Sequence, residues 1–251
     1  MSWARKRKLL YFSGITVFVL VFIVLPIVWI FYKAPTCFDG KQNQDELGVD
    51  CGGVCSLLCP SQYIPLNVLW SRFSKVNDGV YNVLAYVENP NVGASANNLN
   101  YVFKLYDSKG ILLKERVGQT FVPPGATVAL FEPDLQTGNL IPQRVEFSFT
   151  SGAVWIKQNS IETGLSISQA VISREDTAPR LSATVTNKTI DQIKNIEAVA
   201  IIYNAEGNTI SFSRTIIDSI TGKKSVIINF NWPKPFNDTY ARNEILLRIL
   251  K

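Results

Sequence analysis

A single uninterrupted apolar run, Leu9 to Tyr32, leaves this chain few choices. An α-helix rises about 1.5 Å per residue, so ~20 apolar residues cross a ~30 Å hydrocarbon core. The run meets that length with no charged residue inside it. Pro26 falls within it, which a lipid-embedded helix tolerates when neighbouring groups satisfy the freed carbonyl. Tyr11 and Phe12 near one end, and Trp29, Phe31 and Tyr32 near the other, fit interfacial aromatic belts. Arg5, Lys6, Arg7 and Lys8 precede the run, and the acids Asp39, Asp45, Glu46 and Asp50 follow it. The positive-inside rule then places residues 1–8 in the cytoplasm and the rest outside. A cleaved signal peptide is the rival reading, but its apolar region would span only ~7–15 residues before small residues. Phe31-Tyr32-Lys33 makes a poor cleavage site, with Ala34 the only small residue nearby, and Thr36 before Cys37 lacks the small residue that lipid attachment requires. The expectation is an uncleaved signal-anchor of a single-pass cell-membrane protein, with its C-terminal part extracytoplasmic.

The chain has 25 Lys+Arg against 20 Asp+Glu. Setting aside the four basic residues of the head leaves 21 against 20, so the exposed part is nearly neutral. The basic pI is therefore an anchoring signal and not a nucleic-acid footprint, which needs cations clustered on a folded face.

All four cysteines, Cys37, Cys51, Cys55 and Cys59, lie just beyond the run. The segment around them is rich in turn formers and too poor in apolar residues to bury a core, so a covalent staple must hold it. An even number of cysteines outside the cytoplasm favours two disulfides, in any of three connectivities. Two metal readings compete. Asp39, Asn43, Asp45, Glu46 and Asp50 offer hard oxygens of the kind calcium takes, although Lys41 stands where an EF-hand loop needs a carboxylate or amide. Zinc on four thiolates is disfavoured by oxidising surroundings and by the missing Cys-x-x-Cys pairs. The disulfide staple is the expectation, with no metal favoured.

The segment resembles a motif of secreted and surface-exposed proteins, Cys-x-Asp-Gly-x-x-Asn-x-x-Glu-x-Gly-x-Asp-Cys-Gly-Gly-x-Cys-x-x-Cys. Cys37, Asp39, Gly40, Asn43, Glu46, Gly48, Asp50, Cys51, Gly52, Gly53 and Cys55 all match. The last spacing, Cys55 to Cys59, has one residue more. The resemblance implies a small linker module beside β-rich domains, without a catalytic role.

After Pro60 the texture becomes short alternating stretches of Val, Ile, Tyr, Phe and Thr between Gly, Pro, Asn and Asp. Strands at intervals of ~8–12 residues are the signature of a β-sandwich, and no window past the anchor carries a 3.6-residue apolar stripe. The chain also repeats itself. Val83-x-Ala85-x-Val87-x-Asn89 parallels Leu181-x-Ala183-x-Val185-x-Asn187, and Phe103–Gly110 parallels Ala200–Gly207 with Gly four residues after Tyr106 and Tyr203. A second turn follows fifteen residues later in each copy, Pro124-Gly125 and Thr221-Gly222, and a closing strand completes each, Arg144–Phe149 and Glu244–Ile249. The predicted class is all-β: a basic head (1–8), a transmembrane helix (9–32), a short disulfide-rich neck (33–61) and two tandem immunoglobulin-like β-sandwich domains (62–158 and 159–251) joined near Asn159–Gly164. Each sandwich is near the usual ~100 residues.

The first sandwich resembles FxLYD-type domains through Phe103-Lys104-Leu105-Tyr106-Asp107 and the later Pro123-Pro124-Gly125 turn. The resemblance implies an extracytoplasmic β-sandwich and names no ligand. In the second copy only Tyr203 of the motif survives. Alternation places Phe103 and Leu105 on the core face and Lys104 toward solvent.

The chain has no histidine, which removes Ser-His-Asp and Cys-His nucleophiles and His-ligated catalytic zinc. No phosphate-cradling Gly-rich loop follows a strand. The adjacent acids Glu175-Asp176 and Asp45-Glu46 sit in turns and not across a cleft. The chain is expected to be no enzyme and to hold no cofactor. Trp70, Trp155 and Trp232, with Tyr81, Tyr86 and Tyr240, could mark a binding face, but sandwich cores also need large rings. The loop-like Trp232-Pro233-Lys234-Pro235-Phe236 offers Trp232 and Phe236 as candidate exposed binding aromatics. Asn187-Lys188-Thr189 and Asn237-Asp238-Thr239 fit the glycosylation acceptor pattern. The function expected is a membrane-anchored extracytoplasmic binding or scaffolding protein, with the bilayer and a protein or envelope polymer as partners and no nucleic acid. Alternatives are a structural subunit of a membrane or envelope assembly, or a calcium-stabilised adhesion module.

Overall fold

A computed structural model describes residues 3–32, 34–160 and 163–250, with the side chain of Val28 left aside. Met1 and Ser2 of the head, Lys33 of the neck, Ile161 and Glu162 of the joining stretch, and Lys251 lie outside the described residues. The chain divides into two compact units, 1–55 and 56–251.

In the first unit, α1 (Trp3–Val19), a π-helical turn (Leu20–Val24) and α2 (Leu25–Phe31) run without a break. The helix Trp3–Phe31 is long and apolar enough, by length and composition, to span a membrane. The π turn falls just ahead of Pro26, whose ring would crowd the carbonyl four residues earlier and which lacks an N–H. Ser13 and Thr16 donate their hydroxyls to the carbonyls of Leu10 and Phe12, so the polar groups in this apolar helix are satisfied internally.

Among the described residues the second unit has thirteen strands in four antiparallel sheets. One pair of sheets is β1 (Asn67–Asn77), β2 (Val80–Glu88) and β5 (Thr127–Gln136) facing β3 (Ala94–Tyr106), β4 (Leu112–Val122), β6 (Arg144–Phe149) and β7 (Val154–Lys157). The second pair is β8 (Leu165–Ser173), β9 (Arg180–Asn187) and β12 (Ser225–Asn231) facing β10 (Ile193–Tyr203), β11 (Thr209–Ile220) and β13 (Arg242–Ile249). Period-two alternation fills each core: Val83, Ala85 and Val87 meet Tyr101, Phe103 and Leu105 in the first, and Leu181, Ala183 and Val185 meet Ala198, Ala200 and Ile202 in the second. Lys104 keeps its side chain partly exposed while Phe103 and Leu105 are fully buried.

A third core joins the pairs. The opposite faces of β2 and β5 present Leu84, Ala129 and Phe131 to Val199, Ile201, Tyr203 and Phe212 of β10 and β11. Strands β2 and β10 are thus buried on both faces, and Ile196–Tyr203 is a nearly continuous apolar run as two-sided burial demands. Each large apolar side chain buried here contributes roughly 1.5–3 kcal/mol, so this contact holds the pairs as one body. The end of the neck also joins this unit. Leu58 N–H donates to the Trp155 carbonyl and Lys157 N–H to the Ser56 carbonyl, while Leu58 and Tyr63 pack on the first core.

The sheet pairs match in geometry. Asn98 and Asn195 both adopt φ 53°, Asn98 within a register shift of β3 against β4, and Gly110 and Gly207 close their hairpins at φ 78° and 80°. In each hairpin the glycine N–H donates to the carbonyl of Asp107 or Asn204. The second turn differs from its sequence reading by one position: the counterpart of Gly125 (φ 60°) is Lys223 (φ 60°), not Gly222. Gly125 N–H donates to the Asn91 carbonyl as Lys223 N–H does to that of Thr189.

Asn89 and Asn187 are buried clamps. Asn89 Nδ2 donates to the carbonyls of Ala94 (2.7 Å) and Pro123 (2.8 Å), and Asn187 Nδ2 to those of Asp191 (2.7 Å) and Ile220 (2.9 Å). Asn187 is therefore no glycan acceptor in the folded protein, whereas Asn237 is exposed. Replacing Asn187 by Ala strands two carbonyls and is expected to cost about 2–3 kcal/mol in urea unfolding with an unchanged m-value.

Candidate functional site

Three places gather chemistry-bearing side chains. The first is the cysteine segment of the first unit. Cys37 bonds to Cys55 across 18 residues, Cys51 and Cys59 are also in disulfide linkage, and no cysteine is free. The surrounding acids serve the backbone. Asp50 accepts the N–H groups of Asp39 (3.0 Å) and Gly40 (3.0 Å). Asp39 accepts those of Thr36 and Lys41 and the Asn43 amide (2.9 Å), and this last bond foremost holds its carboxyl below the usual range. Glu46, buried, accepts the N–H groups of Asn43 and Asp50 (both 3.2 Å). Asp45 adopts φ 63°, and a side chain at Gly53 would run into its carbonyl. The carboxylates of Asp39, Glu46 and Asp50 act as turn caps, each occupied by nearby N–H donors. Among the described residues one grouping, Cys37, Glu46 and Cys55, has the proximity of a metal site, and its two sulfurs are already bonded to each other.

Glu46 Oε1 lies 3.2 Å from the Cys55 sulfur. Its charge opposes both an incoming thiolate and a departing Cys55 thiolate. Glu46→Gln should speed reduction of Cys37–Cys55 by about threefold or more, read by alkylation and mass spectrometry. Added calcium or EDTA should leave the melting temperature unchanged, and a calcium-dependent rise would sink the capping account.

The second place is the Trp232 loop. Trp232 is not an exposed ring: it is 7% exposed and packs in the second core against Ile228 and Phe230's cluster. The half-buried Phe236 meets it edge-on at 5.2 Å. The Pro-rich loop folds back over the open end of the sheets, so both rings are spent on the core. Trp232 Nε1 is buried without a hydrogen-bond partner, beside a cavity of about 160 Å³. Trp155 and Tyr81 are likewise core residues, and Trp70 stacks on Tyr86 at 4.9 Å.

The third place is the contact between the sheet pairs, which carries polar groups that sequence reading missed. Glu197, 3% exposed, accepts from Arg248 Nη2 (2.6 Å) and Nε (3.0 Å) and from Arg214 Nη1 (3.4 Å). Arg248 Nη1 also donates to Thr120 Oγ1 (2.8 Å) of the first pair, and Arg214 Nη1 to the Phe131 carbonyl (3.4 Å). Glu244 accepts the hydroxyls of Tyr86 (2.6 Å) and Tyr203 (2.8 Å), one from each pair. A charged residue inside the apolar stretch Ile196–Ile202 was the available signal. A cleft of about 490 Å³ opens alongside, walled by Phe121, Pro123, Val128, Ile193, Leu247 and Ile249. Its lining cation, Arg248, is already committed to Glu197.

No protein-family model and no curated protein matches the chain. Among solved structures, red sea bream transglutaminase is similar over 75% of this chain and 32% of its own length, with 10% identity and a TM-score of 0.27. That likeness carries no argument about activity.

Because removing one partner strands a buried charge, Glu197→Gln should destabilise the protein by about 3–5 kcal/mol, whereas an apolar replacement of Glu197 and Arg248 together should cost much less. Burial, foremost, and carboxylate partners raise the hydroxyl pKa values of Tyr86, Tyr101 and Tyr203, the partners being Glu244, Glu132 and Glu244. A raised folded-state pKa gives stability that is complete below the ordinary tyrosine value of about 10 and is lost as pH climbs above it. Absorbance at 295 nm should show these tyrosines ionising late, together with unfolding.

Proposed function

We propose that the chain is a single-pass, N-terminus-inside, extracytoplasmic scaffold or binding protein without catalytic activity. In this reading two tandem immunoglobulin-like sandwiches, the first of FxLYD type, form one stiff body that presents a surface to a protein or envelope polymer. The observation that carries it is the apolar contact between the sheet pairs, bound by the Glu197–Arg248 and Glu244–tyrosine contacts. A hinged pair would suit a switch; a body with a continuous core suits spacing and presentation. The apolar helix, the four basic residues before it and the fully oxidised cysteines support anchorage with residues 34–251 outside. Among the described residues, buried Glu197 is bound by Arg248 and Arg214 and buried Glu46 by backbone N–H groups, which supports a non-catalytic reading.

Crosslinking with mass spectrometry on intact cells, with the native anchor and with Leu9–Tyr32 replaced by an unrelated span, tests this. The expected result is crosslinks from residues 56–251 to the same partner with either anchor. A stoichiometric membrane partner that vanishes with the native helix would instead assign the chain to a membrane assembly. Labelling of an engineered N-terminal cysteine from outside would overturn the orientation.

A further inference from the structure

We infer that the two outermost sheet faces are end caps, polar copies of the internal docking surface, which close the stack at two sandwiches; this rests on the two-sandwich reading above. The internal contact is heterologous. It joins the β1-β2-β5 sheet of the first pair to the β10-β11-β13 sheet of the second, and these occupy different places in their own sandwiches. A head-to-tail contact of this kind does not close on itself, so an unmodified repeat would go on adding copies.

Strand registers place each outer residue opposite its internal counterpart. In β10 and β11 the cross-strand pair Ile201–Phe212 lies in the third core. The matching pair in β3 and β4 is Lys104–Glu115, an ion pair at 3.7 Å on the outer face. Leu246 pairs with Val199, and its counterpart Ser148 pairs with Val102. The other face behaves in the same way. Leu84 pairs with Phe131 in the core, and their counterparts Ser182 and Asn229 pair on the outer face of β9 and β12, joined by a 2.7 Å hydrogen bond. Tyr86 and Trp70 pair internally, and Thr184 and Ser168 hold those positions outside.

Tyr203 and Glu244, which take part in the internal contact, keep their residue types on the outer face. Arg144 lies over Tyr106 at 4.3 Å as Arg242 lies over Tyr203 at 3.8 Å, and Glu146 takes the place of Glu244. The exchange is partial: it replaces the counterparts of Leu84, Phe131, Ile201 and Phe212, while Val117, Val171 and Ile227 stay exposed on the outer faces. Terminal units of stacked-repeat proteins need polar outer faces for solubility, and these two faces meet that need by different chemistry, one ionic and one of hydroxyls and amides.

The test uses the full-length chain in nanodiscs or detergent. Sedimentation of the wild type should give one copy across a hundredfold range of concentration. The variants Lys104→Ile/Glu115→Phe and Ser182→Leu/Asn229→Phe each uncap one face; mixed, they should form a 1:1 complex at least tenfold tighter than either self-association. Thermal melting of each variant, retaining the single transition of the wild type, shows that it folds. Wild-type self-association that crosslinks the β3-β4-β6 face to the β8-β9-β12 face, or folded variants that fail to pair, would overturn the inference. Two separate melting transitions in the wild type would instead break the rigid-body reading on which it rests.

Discussion

The second unit depends on one contact: the face of β2 and β5 laid on the face of β10 and β11. Without it Leu84, Phe131, Ile201 and Phe212 would be an exposed apolar surface on two separate pairs of sheets. With it the strands between become interior on both sides. The apolar side chains supply the attraction, because desolvation offsets most of what a buried ion pair gains. Glu197 and its arginines do something the apolar surface cannot. A flat sheet face can slide over another with little change in buried area, whereas Arg248 reaches Thr120 only in one register. Specificity of alignment, more than strength, is what this polar cluster adds.

Much of the strand pattern was legible. Turn chemistry and period-two alternation mark the strands, and the Tyr-x-x-x-Gly echoes fall at two hairpins of matching φ, because each element answers to local rules. What crosses between halves was not. Alternation assigns one face of a strand to a core and the other to solvent, so Leu84 and Ile201 had no reason to be read as contacts of each other. The run Val199-Ala200-Ile201-Ile202 did carry the information, since an unbroken apolar stretch means burial on both faces. Trp232 failed for the opposite reason. Proline flanks suggest an exposed loop, but a loop at the end of a sandwich can fold its aromatic back over the core.

The cysteine segment shows why acid-rich loops mislead. Asp39, Glu46 and Asp50 resemble a cation site when read as a string of oxygens. In space each faces backbone N–H groups of its own turns, and a small segment with almost no apolar core needs those bonds to fix its chain. Glycine is required at position 53 for the same economy of space, since the Asp45 carbonyl occupies the volume a side chain would take. Folding thus accounts for Asp39, Glu46, Asp50 and Gly53 of the motif.

The two halves differ most where they meet or would meet a neighbour, and agree where each must close its own sheets. Asn89 and Asn187 keep the same clamp, and Asn98 and Asn195 the same positive φ. Ile201 and Lys104 differ because one looks into a core and the other into water. Leu84 and Phe131 meet Ile201 and Phe212 in the third core, while Ser182, Asn229, Lys104 and Glu115 face outward. A polar side chain at a dry contact must find a partner there or leave its hydrogen bonds unmade, so the charged and hydroxyl pairs belong on the faces that water reaches.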